Sequence, residues 1–392
     1  MAKLPVSPLA PKGGFPEMPV IDGVRFAVVE AGVKYPGRAD VMLAELAPGT
    51  VIAGTFTKSK TRAAPVLDCQ GKLGGASDAG AAIVVNSGNA NAFTGADGIE
   101  SVRAITGHAS RALGIPEERV FTASTGVIGE KLPHLRITSA FEALKSALSA
   151  DGIAGAAQAI MTTDTYPKGS ARTVEIDGHP VRIAGIAKGS CMIAPDMATM
   201  LVYLFTDARI GFEGLQEIVS RHCDRTFNCI TVDSDTSTSD TLLVAATGAS
   251  GVDTAGEDAF SDALLEVMDG LAKQVVRDGE GATKFVTVKV TCAANHEDAR
   301  RIAFAIANSP LVKTAVACED PKGVRIVMAV GKSGAEAYRD RLSVFICDTR
   351  VALKGQADPA NVEAEAAGHM KGDEITIHVD LALGGGGSTV YT

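Results

Sequence analysis

Six consecutive residues, Met200-Leu201-Val202-Tyr203-Leu204-Phe205, are all apolar, so a strand built from them has no side to turn toward water. Only a central place in a sheet covered on both faces buries such a strand. The rest of the chain supplies the parts for that arrangement. Residues 81–85 form a short apolar run suited to a buried strand, ending at Asn86-Ser87-Gly88-Asn89-Ala90-Asn91, where amides and glycine favour a tight turn. Ile99, Val102, Ile105, Ala109 and Leu113 then share one helical face. Residues 120–123 read as a strand ending in Ser124-Thr125-Gly126, and Leu135, Phe141, Leu144 and Leu148 mark a second amphipathic helix. Residues 174–176 and 181–186 flank Asp177-Gly178-His179-Pro180, a hairpin signal. Strand-like stretches follow at 229–232, 242–246, 285–291, 342–347 and 375–379. Helical faces appear at Phe260, Leu264, Met268, Leu271 and Val275 and across 300–307. This alternation predicts an α/β (α+β) protein. There is no repeat of fixed period and no linker rich in Pro, Gly or Ser, which predicts one intimately packed unit.

Charge and cysteine usage narrow the function. The net charge of -9 comes from 46 acidic and 37 basic residues spread without blocks, so clustered Lys and Arg for a phosphate backbone are missing and no nucleic-acid partner is expected. Seven scattered cysteines with no C-x-x-C pair predict reduced thiols, and neither a disulfide framework nor a zinc site. The N-terminus has no apolar run suited to a signal peptide, and no run is long enough to span a bilayer. A cytoplasmic location away from membranes is the expectation.

Several motifs fail on spacing. Gly331-Lys332-Ser333 would end a phosphate-binding loop only with glycine at position 326, which is Ile326. Gly384-Gly385-Gly386-Gly387 has no dinucleotide-fold context and reads as a flexible turn. Asp233, Asp235 and Asp240 lie in a hydroxyl-rich run, but the sixth position of a calcium loop there is Thr238 in place of glycine. No metal or cofactor is expected. Seven dispersed histidines leave a conventional triad open, without a G-x-S-x-G elbow to support it. Cys191, near Lys188, is a candidate thiol nucleophile, its alternative being burial as a small hydrophobe.

Thr199 is the better nucleophile candidate. A threonine at the head of a chain carries its own base, because the α-amine has a pKa of about 7.7 to 8.0 and can accept the hydroxyl proton. An internal threonine gains that amine only if the preceding bond breaks. Ala194-Pro195-Asp196-Met197-Ala198 is an irregular segment feeding a rigid buried strand, and small Ala198 leaves its carbonyl open to the Thr199 hydroxyl. Thr125 and Gly126 offer a hydroxyl and an unhindered N–H for a developing oxyanion. On composition and spacing alone, Ser124-Thr125-Gly126 reads more readily as a mere turn and Thr199 as an ordinary strand start.

The run Lys188-Gly189-Ser190-Cys191-Met192-Ile193-Ala194-Pro195-Asp196-Met197-Ala198-Thr199-Met200-Leu201 closely resembles the autoproteolytic segment of the ornithine acetyltransferase family, also called glutamate N-acetyltransferase. Six further blocks match in order. They are Asn86-Ser87-Gly88-Asn89-Ala90-Asn91-Ala92, Ser124-Thr125-Gly126-Val127-Ile128-Gly129, Met161-Thr162-Thr163-Asp164-Thr165, Asp235-Thr236-Ser237-Thr238-Ser239-Asp240, Asp278-Gly279-Glu280-Gly281 and Asn308-Ser309-Pro310-Leu311-Val312-Lys313-Thr314. The resemblance covers nearly the whole chain. It implies sheets sandwiched between helices, similar to N-terminal nucleophile hydrolases. It also implies cleavage between Ala198 and Thr199 into fragments 1–198 and 199–392, and assembly as a heterotetramer of two α and two β fragments.

The implied reaction moves the acetyl group of N2-acetyl-L-ornithine to L-glutamate in arginine biosynthesis, with acetyl-CoA left open as a further donor. Thr199 would be the acetylated nucleophile, Thr125 and Gly126 the oxyanion hole, and Thr162, Lys188 and Glu280 the substrate-binding residues, Lys188 for a carboxylate and Glu280 for an ammonium. Three departures stand beside the likeness. Cys191 replaces a usual glycine, residues 320–325 lack the common Asn-Trp-Gly, and the family continues past the strand-like 387–392 into a tail with further binding residues. An amide hydrolase of similar architecture and a non-catalytic binding member are the alternatives.

Overall fold

The strand that is apolar on both sides lies between two neighbours, as its composition requires. The computed structural model describes residues 5–75, 78–194, 200–321, 323–358 and 362–392. Its contacts divide the chain into two compact units. The first comprises Met1–Pro5, Pro11–Asn228 and Asp235–Val275, the second Val6–Ala10, Cys229–Ser234 and Val276–Thr392.

The first unit contains β1 (Val24–Val29), β2 (Val41–Leu46), β3 (Val51–Phe56), β4 (Ala81–Asn89), β5 (Val120–Val127), β6 (Lys168–Ile176), β7 (His179–Lys188), β8 (Leu201–Thr206) and β9 (Thr241–Ala246). They form two sheets, β1-β2-β4-β5 and β3-β9-β8-β7-β6. Central β8 is antiparallel to β7 and parallel to β9, with all six residues buried. Its alternation sends Leu201, Tyr203 and Phe205 into a core shared with the first sheet, where Phe205 meets Phe26 of β1 edge-on at 4.9 Å.

Helices cover both outer faces. The helices of this unit are α1 (Ala64–Lys72), α2 (Gly95–Leu113), α3 (His134–Ser139), α4 (Phe141–Ser146), α5 (Ile153–Ala159), α6 (Phe212–Arg225) and α7 (Asp258–Arg277), which passes two residues beyond it. Val41, Leu43, Ala82, Val84 and Val120 of the first sheet pack against Ile105 and Ala109 of α2 and Phe141 and Leu144 of α4. Over the second sheet α7 comes so close that a Cβ on Gly185 of β7 would stand 2.9 Å from Leu271 and 3.2 Å from Val267. The sheets are sandwiched between helices, and the protein is of the expected α/β (α+β) class.

The expected hairpin joins β6 to β7 through Asp177 and Gly178, both at positive φ (51° and 77°), the backbone that matches the twist of the flanking strands. Other expectations need correction. Both β4 and β5 run past their expected stops, to Asn89 and Val127. Their polar residues remain in the buried ladder because they satisfy one another. Ser124 Oγ donates to Asn86 Oδ1 at 2.7 Å and Asn86 Nδ2 donates to the Asn89 carbonyl at 2.8 Å. The single helix expected from Leu135 to Leu148 is two short ones, α3 and α4, and Leu135 faces solvent while Phe141 and Leu144 are buried.

The second unit is one six-stranded sheet of β10 (Phe285–Ala293), β11 (Ser343–Ile346), β12 (Thr349–Leu353), β13 (Gln356–Ala357), β14 (Glu374–Asp380) and β15 (Gly386–Tyr391), in the order β13-β12-β11-β14-β10-β15. Its helices are α8 (His296–Ala307), α9 (Pro310–Ala317), α10 (Val324–Gly331) and α11 (Glu363–Met370). The core between sheet and helices includes Val288, Val290, Ile302, Ile306, Ile326, Ile377 and Val379. Asn295 and Ser309 cap α8 and α9 by accepting from the Asp298 and Val312 amides. Residues 229–232 are not a strand. Ile230 makes one isolated bridge, to Tyr391, so this buried run has no ladder. Nor is 384–387 a free turn: Gly386 opens β15, and a Cβ there would stand 2.2 Å from the Asn295 carbonyl oxygen.

Candidate active site

Two strand ends bring the first predicted residues together. Lys188, the last residue of β7, is buried to 3% exposure, and its Nζ donates to Thr125 Oγ1 of β5 at 3.2 Å. An ammonium can only donate, so Thr125 accepts here and keeps its own proton for a third group. Gly126 follows with φ of 129°, and a Cβ on it would stand 2.3 Å from the Gly88 carbonyl carbon and 2.7 Å from the Asn89 nitrogen. No side chain fits there. The close approach coincides with an irregularity in the β4–β5 ladder, where Asn89 pairs with both Thr125 and Val127.

The amides of 86–91 hold that irregularity in place. Asn89 Nδ2 donates to the Glu130 carbonyl at 3.1 Å, the Asn91 N–H donates to Asn89 Oδ1 at 2.8 Å, and Asn91 Nδ2 donates to the Gly98 carbonyl at 3.0 Å. Ser87 Oγ donates to the Ala159 carbonyl at 2.7 Å. The side chains of this block thus clamp the loop on which Thr125 and Gly126 depend.

Thr162 joins the assembly through a residue that carries no role in the sequence analysis. Its N–H donates to Asp164 Oδ2 at 3.0 Å, while the Gly189 N–H donates to Asp164 Oδ1 at 2.7 Å and Lys168 Nζ donates to the same oxygen at 2.6 Å. Both side chains of the Asp164–Lys168 pair are fully buried. Burial pushes the Asp164 carboxyl up, but the charges of Lys168 and Lys188 and the hydrogen bonds from Lys168 and Gly189 outweigh it and hold it well below the usual carboxylate range. Asp240 behaves in the opposite way. Burial pushes its carboxyl well up, against the pull of the Met200 N–H, Lys188 and Thr57. The Met200 N–H donates to Asp240 Oδ1 at 2.8 Å, fixing the start of β8.

Asp164 and Asp240 both lie in blocks that carry the family resemblance, and Asp240 lies also in the hydroxyl-rich run 233–240. Nothing in the local pattern announced Lys168 as buried. Glu280 is exposed just beyond α7, in the second unit. Ala198 and Thr199 lie outside the described residues. Cys191 is half-buried, with Sγ 3.8 Å from Thr163 Oγ1. Among the described residues no group of three or more His, Cys, Asp or Glu is placed to hold a metal ion, and no helix is long and apolar enough to cross a membrane.

Fold and site together define an α/β protein in which a threonine hydroxyl, an obligatory glycine and a buried ammonium meet at strand ends. The chain belongs to the ArgJ family, whose sequence model matches residues 25–392. It is similar to the arginine biosynthesis bifunctional protein ArgJ of Ruegeria pomeroyi, at 62% identity over all of this chain and 96% of that one. The protein of the same name from Gluconobacter oxydans is 52% identical over all of this chain and 93% of its own. Among solved structures, arginine biosynthesis bifunctional protein argJ from Bacillus halodurans matches at 37% identity and a TM-score of 0.46, covering 48% of this chain and 91% of that one.

Proposed function

We propose that this chain is an acetyltransferase that carries the acetyl group of N2-acetyl-L-ornithine to L-glutamate on Thr199, after breaking its own backbone between Ala198 and Thr199. The observation that carries the reading is the Lys188–Thr125 contact beside Gly126, which leaves the Thr125 proton free to stabilise an oxyanion. Relatives that share the name arginine biosynthesis bifunctional protein over the whole chain support it.

In the self-cleavage step, Thr199 Oγ attacks the Ala198 carbonyl carbon, the C–N bond breaks to leave an ester and a free Thr199 amine, and water hydrolyses the ester to the Ala198 carboxylate and the Thr199 hydroxyl. That amine then takes the Oγ proton as Oγ attacks the acetyl carbon of acetylornithine. Thr125 and Gly126 hold the oxyanion, the amide C–N bond breaks, and ornithine leaves as the protonated amine. The glutamate amine attacks the acetyl ester next and restores the Thr199 hydroxyl. Lys188 and Thr162 serve the substrate carboxylate and Glu280 its ammonium. Two α with two β fragments form the working particle.

Mixing the protein with acetylornithine alone should add one acetyl group to the Thr199 fragment by mass, and glutamate should discharge it. Ornithine release at the same rate with and without glutamate would identify a hydrolase instead.

A further inference from the structure

The buried carboxylate of Asp164 accepts from two separated backbone segments at once, the Thr162 N–H at 3.0 Å and the Gly189 N–H at 2.7 Å. Gly189 is bonded to Lys188, whose ammonium reaches Thr125. Two residues assigned above to substrate binding are therefore tied to one side chain that itself has no route to substrate, being fully buried with its charge matched by Lys168. We infer that Asp164 is the positioning residue of the substrate site, setting the distance between Thr162 and Lys188, and that this is why a carboxylate stands there in place of an apolar side chain. The inference deepens the functional reading and rests on it.

A buried ion pair is weak evidence of stability, since well-packed neutral groups often replace such pairs without loss. The geometry gives a more specific reason for the charge. A carboxylate has two acceptor oxygens and no donor, whereas an asparagine in the same place turns an N–H₂ toward one of the two amides and pushes it away. A purely structural role is satisfied by removing both charges together. A positioning role is not.

The double variant Asp164→Asn/Lys168→Met separates the two. We expect it to fold, with the KM for acetylornithine raised about tenfold or more and kcat within about threefold of wild type. Amide hydrogen exchange in the peptides covering 160–165 and 186–191 should be faster. Asp164→Glu, which keeps both oxygens, should fold and fall between the two in KM. A double variant with wild-type KM overturns the inference and leaves the functional reading intact. A wild type without transfer activity overturns the functional reading, and the exchange measurement then decides alone: unchanged protection in both peptides overturns the inference as well.

Discussion

A methyl group added at Gly126 would stand 2.3 Å from the Gly88 carbonyl carbon, on a backbone whose φ of 129° already disfavours any side chain. Gly126→Ala must therefore displace β4 or β5 at the point where Thr125 is presented. Losing one oxyanion donor costs about 100-fold or more in kcat, and we expect a loss of that order. A variant with wild-type kcat would take Gly126 out of the site. Asp240 carries a prediction about pH. Because burial raises its carboxyl, the native state holds the proton more tightly than the unfolded chain, whose carboxylates titrate near pH ~4. Native protein then binds more protons over the range above about pH 4, so the Asp240 contribution to stability falls as pH rises through it. Asp164 has the opposite sign: its lowered value gives stability that is present above about pH 4 and lost on acidification. Asp240→Asn should flatten the decline of Tm as pH rises above about 4, and an unchanged slope would contradict the assignment.

How far each element was legible depended on whether its signal lay in its own residues. The apolar run at 200–205 announced a central strand, because nothing but burial on both faces suits it. Asp177-Gly178 announced a hairpin, because few other pairs tolerate positive φ twice. The helix α7 showed its buried face, Phe260, Leu264, Met268, Leu271 and Val275, at regular spacing. The misreadings have one cause in common. At 86–89 and 124–127 polar residues read locally as strand stops, yet their partners come from a strand more than thirty residues away, as with Ser124 and Asn86. At 229–232 a short apolar run reads as a strand, although burial alone does not create a ladder partner. The Thr125–Gly126 pair was legible as a candidate; the Asp164–Lys168 pair, four residues apart and buried only by tertiary packing, was not. Phe205 tests the sandwich itself. Truncating it to alanine removes its edge-on contact with Phe26 between the sheets and should cost about 3–5 kcal/mol in urea unfolding. A loss under about 1 kcal/mol would mean that the sheets do not depend on this contact.

Over the whole molecule, a likeness spread along the chain accompanies a proposed chemistry concentrated in one bond. Family membership extends over residues 25–392, so the proposed cut at 198–199 falls inside one continuous match. Two copies of each fragment predict a native mass of twice the 40.3 kDa chain. Mass spectrometry of the freshly purified protein, alongside Thr199→Ala, tests the central claim most directly. We predict two wild-type fragments, one beginning Thr-Met-Leu-Val-Tyr, and for the variant a single uncut chain without transfer activity. A wild-type chain that stays in one piece and still transfers acetyl groups would contradict the account.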